Sequence, residues 1–253
     1  MRNALYIVSV FLCFNCFSQI DEVRRITKTL CSEEFNGRGY VGKGDSIAAA
    51  FLVQEFKTLG VATYNDKDYI QPFTISNVNT FPAKMSVHLG SLELKPGVHF
   101  SVDPSSGGYN GKLIPRKIDI GTCLDQDQLT KVLQEVMGGE KYNSILLNIA
   151  HVSDDTLKLI AGLSQALAGY LPVIVLTKKK FTWSVGNEQF PFALIKIQDS
   201  IYNADQNLTV QIDAEIIPDY QTQNVIGFIP GKKKCKKTIV FTAHYDHLGR
   251  MGA

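Results

Sequence analysis

The sequence is poor in cysteine, nearly balanced in charge, and without a second long apolar run, internal repeat or low-complexity stretch. Of its five cysteines, Cys13 and Cys16 fall in an N-terminal apolar run. Cys31, Cys123 and Cys235 are too few and too scattered for a disulfide framework or a zinc knuckle, which leaves at most one pair. Lys and Arg number 26 against 24 Asp and Glu, a net charge of +2, and this balance calls for neither nucleic acid nor an acidic partner. No segment after the first 18 residues reaches the roughly 20 apolar residues of a spanning helix, so no membrane span is expected in the mature chain.

What is present begins at the N-terminus. Met1-Arg2-Asn3 gives a short positive start, Ala4 to Phe17 is apolar, and Ser18 precedes Gln19 as a small residue at a cleavage position. The pattern predicts a signal peptide over 1–18 and export to the periplasm, cell surface or exterior, with a retained N-terminal anchor as the plainer alternative. Phe14-Asn15 before Cys16 lacks the small residues of a lipidation site. Roughly 235 residues remain, 45% of the whole chain being hydrophobic, enough for one large or two modest globular domains.

Ile20, Val23, Ile26 and Leu30 recur at helical spacing, and Asp45 reads as the cap of a second helix through Ala48, Leu52, Phe56 and Leu59 to Gly60. Between them lies a glycine-rich loop, Asn36 to Gly44. Tyr69 to Val102 reads as short strands and turns, with Met85, Val87 and Leu89 alternating. Leu129, Val132, Leu133, Val136 and Met137 mark the clearest helix, closed by Gly138-Gly139. Ser144–Ile149 and Leu171–Thr177 read as buried strands around a Ser153-capped helix, together an α/β unit. Leu208–Ile216, Asn224–Pro230 and Thr238–Ala243 are further strand candidates.

Several motifs admit a functional and a plainer reading. Gly37-x-Gly39-x-x-Gly42 has the spacing of a dinucleotide fingerprint, but that motif needs a buried strand before it. As a P-loop it fails at Gly44, where a Ser or Thr hydroxyl is required; a surface turn needing positive φ is the plainer reading. Lys232 to Lys237 reads as a solvated hairpin tip, and Asn207-Leu208-Thr209 as a surface loop or, in a glycosylating host, a glycan acceptor. His88, His99 and His151 have no partner at ligand spacing. His244-Tyr245-Asp246-His247 differs, because it directly follows the apolar run Thr238–Ala243, and carboxyl ends of strands are where ligand sites form. A neutral imidazole from His244 can bind zinc, and Asp246 can orient a ligand or bind the ion itself. A buried histidine held by a neighbouring carboxylate is the plainer alternative.

The succession Asn224-Val225-Ile226-Gly227-Phe228-Ile229-Pro230-Gly231, a turn, an apolar run, then Ala243-His244-Tyr245-Asp246-His247-Leu248-Gly249 resembles the co-catalytic zinc peptidases of family twenty-eight, the aminopeptidase relatives of glutamate carboxypeptidase. Leu30 through Phe35-Asn36-Gly37-Arg38-Gly39, the helix to Gly60, and Tyr69-Ile70-Gln71-Pro72-Phe73 are similar to that family's N-terminal segment. Residues 101–206 look like an inserted protease-associated domain, with Phe190-Pro191 before its closing strand. The resemblance implies an α/β fold with the peptidase part at 19–100 and 207–253. It implies two zinc ions, with His244 as a ligand to one and Asp246 as the supporting carboxylate, while His247 is not carried over as a ligand. It further implies hydrolysis of a peptide or protein substrate by metal-activated water.

The family's bridging aspartate, general-base glutamate and remaining ligands all lie downstream of this motif, so residues up to Ala253 are expected to form a truncated front portion that binds zinc weakly and cleaves nothing. Two rivals from other classes are a non-catalytic peptide- or protein-binding module and, more distantly, a nucleotide-binding protein.

Overall fold

The structure is a computed structural model; it describes residues 19–65, 67–139, 141–150, 152–232 and 237–252. The fold is mixed α/β, with several sheets and helices. It forms two compact units, one of residues 19–39, Lys43–Gln71 and Asn224–Gly249, the other of Tyr40–Gly42, Pro72–Gln223 and residues 250–252.

In the first unit, α1 covers 19–30 and α2 covers Gly44–Thr58. 3-10 turns at Glu33–Arg38 follow α1. Phe35 packs edge-on against Phe51 at 5.6 Å and Phe56 against Tyr69 at 5.9 Å, so the aromatic residues of α2 tie the segments before and after the helix to it. The Tyr69 hydroxyl donates to the Val61 carbonyl at 2.6 Å. β1 (Ala62–Thr63) pairs antiparallel with β15 (Gly227–Phe228). Asp45 is not the cap the sequence suggests: Lys43, in the left-handed region at φ 57°, holds that position, and Asp45 is buried in the first turn with its N–H bonded to the Gly39 carbonyl at 3.1 Å.

The second unit is layered. β8 (Pro115–Ile118), β9 (Ser144–Asn148), β10 (Val173–Thr177) and β11 (Leu194–Gln198) run parallel, and β6 (Phe100–Val102) joins the edge antiparallel. β4 (Ser86–Leu89), β5 (Leu92–Glu93), β7 (Tyr109–Leu113) and β12 (Leu208–Ile212) form an antiparallel sheet in the order β5-β4-β12-β7. Leu146, Ile174, Ile195 and Ile197 pack with Val87, Leu89, Leu113, Leu208 and Val210 between the two sheets. On the opposite face, Ile145, Val173, Val175 and Leu194 pack against α3 (Ile120–Leu124), α4 (Gln126–Met137) and α5 (Asp154–Leu167). The central strands are buried on both faces, which is why they read as unbroken apolar runs, whereas β12 alternates, one face turned to solvent.

Asp125 caps α4, accepting from the Asp127 and Gln128 N–H groups at 3.1 and 3.0 Å. Leu129, Val132 and Val136 are buried, and Met137 at the end of the stripe is exposed. Ser153 stands at the N-cap of α5, but its hydroxyl meets the Thr156 hydroxyl at 3.0 Å and caps no backbone N–H. The sequence run Leu208–Ile216 divides in two, because β13 (Glu215–Ile217) leaves the β12 sheet to pair with β3 (Val78–Thr80). β2 (Ile70–Thr74) and β14 (Gln221–Val225) form a further two-stranded sheet. The compact unit spans Pro72–Gln223, wider than the 101–206 read from the sequence, because β4 lies beside β12 in one sheet.

Thr238–Ala243 is not a strand. Its apolar composition favours one, but a strand exists through a neighbour's ladder, and among the described residues none pairs with it. Ile239, Val240 and Phe241 are 82%, 74% and 92% exposed.

Replacing Ile195, fully buried in the central sheet, by Ala is expected to lower unfolding stability by about 2–5 kcal/mol in denaturant titration, while Leu92→Ala at an exposed position changes it by less than about 0.5 kcal/mol. Equal losses would contradict the assigned core. Cys31 is exposed and Cys123 buried, both as free thiols. Burial, aided by the Asp119 carboxylate, pushes the Cys123 thiol up to about 11. Alkylation at about pH 8, mapped by mass, is therefore expected to modify Cys31 in the native protein and Cys123 only after unfolding.

Candidate metal-binding motif

His244 to Gly249 forms an irregular loop with no strand leading into it, so the expected placement at the carboxyl end of a strand is not found. The loop is shaped by its own backbone instead. The His244 Nδ1 lies 2.9 Å from the Asp246 carbonyl oxygen. A carbonyl can only accept, so this contact is a hydrogen bond when Nδ1 carries the hydrogen, and a neutral imidazole in that tautomer has its lone pair on Nε2. The Asp246 carboxylate is 3.6 Å from the same Nδ1, beyond hydrogen-bonding distance. The contact of Asp246 with the imidazole is therefore through its main-chain carbonyl, with the carboxylate farther off. With side chains 79% and 65% exposed, the pair is also not a buried histidine held by a carboxylate.

These two residues fit a metal in donor chemistry: a neutral imidazole fixed through its other nitrogen to a carbonyl is the form that ligates zinc, and the Asp246 carboxylate stands on the same short loop. Among the described residues, no group of three or more His, Cys, Asp or Glu is placed to hold an ion. His247 enters through its backbone alone among the contacts seen, its N–H donating to the Arg38 carbonyl at 3.0 Å.

That hydrogen bond belongs to a contact with the glycine-rich loop. Gly249 N–H donates to the Gly37 carbonyl at 3.2 Å. A Cβ on Gly39 would stand 2.6 Å from the Gly249 nitrogen, and one on Gly37 2.9 Å from the Gly249 carbonyl carbon. The loop makes this approach by turning through the left-handed region at Asn36, Gly37 and Arg38, with φ of 47°, 64° and 57°. The Arg38 guanidinium donates from Nη1 to the Leu30 carbonyl at 2.9 Å, satisfying an end carbonyl of α1, while its buried Nε has no hydrogen-bond partner among the described residues. The need for positive φ was legible in the sequence; the contact with the distant motif was not. Glycines in both segments, at Gly37, Gly39 and Gly249, are the signal that two backbones meet.

The same geometry removes the context a nucleotide fingerprint needs. The loop is preceded by 3-10 turns in place of a buried strand, and Gly37 and Gly39 face another stretch of backbone. His99 Nδ1 accepts from the Lys95 N–H at 3.1 Å, and His88 lies in β4 opposite Thr209. Asn207, Lys232 and Lys237 are exposed. The segment 1–18, expected from the sequence to be a signal peptide, His151, Cys235 and the rest of 233–236 lie outside the described residues. Among the described residues no helix is long and apolar enough to cross a membrane.

Comparison with protein-family models, with curated proteins and with solved structures gives no match.

The His244 tautomer is directly measurable. Long-range nitrogen–proton NMR at about pH 8 is expected to find Nδ1 protonated and Nε2 unprotonated. The opposite tautomer would dissolve the bond to Asp246 and the orientation that follows from it.

Proposed function

We propose that this chain carries the first metal-binding motif and the front portion of an exported zinc-dependent peptidase, most similar in character to an aminopeptidase. His244 would hold zinc through Nε2, and Asp246 would support the same site, its carbonyl setting the imidazole and its carboxylate offering a further oxygen donor. Bound zinc would supply an activated water and polarise the scissile carbonyl of a peptide substrate, in a complete site of two ions. One observation carries the reading. The two segments that resemble the zinc peptidases, Phe35–Gly39 and His244–Gly249, are joined by two backbone hydrogen bonds, and the His244 Nδ1 stands against the Asp246 carbonyl, the contact that in a neutral imidazole leaves Nε2 for a metal.

Residues 19–253 offer one His and one Asp at this place, fewer than the three protein ligands of a catalytic zinc. The purified segment 19–253 is therefore expected to bind zinc weakly, to lose that binding in His244→Ala, and to release no amino acids from peptides. Chelator-sensitive peptide cleavage by this segment would overturn the expected inactivity; zinc binding unchanged by His244→Ala would overturn the site itself.

A further inference from the structure

We infer that the Gly37-Arg38-Gly39 loop is the positioning element of the metal motif: a backbone clamp that sets the orientation of the His244–Gly249 loop. The inference rests on the zinc reading for its purpose, but not for its geometry. Three observations carry it. Two main-chain hydrogen bonds, His247 N–H to Arg38 O and Gly249 N–H to Gly37 O, grip the motif on the carboxyl side of Asp246. The two chains approach so closely that a side chain at Gly39 would overlap the Gly249 backbone. Finally, the clamp is itself anchored: Arg38 reaches back to the Leu30 carbonyl, and the Gly39 carbonyl accepts from the Asp45 N–H in the first turn of α2.

The consequence concerns entropy at the ligand. A six-residue loop with exposed His and Asp side chains samples many backbone states, and only those placing the Asp246 carbonyl at the His244 Nδ1 present Nε2 for ligation. Fixing His247 and Gly249 removes most of that freedom before an ion arrives. The clamp acts through main-chain atoms, so residue identity matters at the glycines and little at the groups that donate and accept.

Gly39 makes the sharpest test, because its own backbone at φ −112° is one any residue adopts. Gly39→Ala therefore strains nothing locally and acts only by pushing the Gly249 chain away. In the unmodified protein, hydrogen exchange is expected to show protected His247 and Gly249 amides, against fast exchange across Thr238–Ala243. In Gly39→Ala those two amides lose protection, and zinc affinity, measured with the metal alone, falls at least tenfold with the far-ultraviolet circular dichroism unchanged. Gly162→Ala, where nothing stands within 4 Å, serves as control and should alter neither quantity. Fast exchange of both amides in the unmodified protein overturns the clamp without any variant. So does a Gly39→Ala protein that binds zinc as tightly as its parent. Protected amides in a parent that binds no zinc would sustain the clamp and sink the metal site, which separates the two failures.

Discussion

The layered unit depends on one constraint, the burial of the β9–β10–β11 centre from both sides at once. Leu146, Ile174 and Ile195 face the antiparallel sheet, while Ile145, Val173 and Leu194 face the helices. Alternation along each strand sends consecutive apolar side chains to opposite layers, so neither layer can be removed without exposing half of the same strands. The polar groups at this core are matched individually. Ser106, fully buried, accepts from Leu194 N–H at 2.9 Å and donates to the Gly107 carbonyl, and Asn79 donates to the Pro104 and Ser106 carbonyls at 2.8 and 2.9 Å. Such pairing is what permits polar side chains there at all.

The other unit is held by different means. Its aromatic contacts include Phe35 with Phe51 and Phe56 with Tyr69, and backbone hydrogen bonds and close glycine contacts fasten the motif loop. This would suit the proposed metal-bearing loop: main-chain anchoring fixes the path of the chain and leaves the His244 and Asp246 side chains in solvent. On the proposed function, metal ligation and packing would draw on different residues, with the anchoring in the backbone and the donors outside it.

Much of the layered unit was legible in the sequence. Leu129, Val132 and Val136 at helical spacing predicted the buried face of α4, Gly138-Gly139 closed it, and the runs at Ser144 and Leu171 became parallel central strands. The errors share one physical origin, that local composition does not choose a partner. Thr238–Ala243 is as apolar as a central strand yet pairs with nothing described, Leu208–Ile216 splits because two neighbours claim its halves, and Asp45 yields its cap position to Lys43 because the loop before α2 turns left-handed. At the candidate site, the sequence pointed to His244 and Asp246 and the structure sets them on one loop. That Asp246 would meet the imidazole by its carbonyl is a main-chain fact with no local signature, and the meeting of Gly39 with Gly249 is a long-range one that glycines in both segments allow but do not pair.

The central claim is that His244 presents Nε2 to zinc from a fixed imidazole, and the most direct measurement follows the imidazole nitrogens of all the histidines by NMR during a zinc titration. The account predicts that the Nε2 resonance of His244 moves while its Nδ1 stays protonated. Zinc that shifts His88 or His99 and leaves His244 untouched would contradict it.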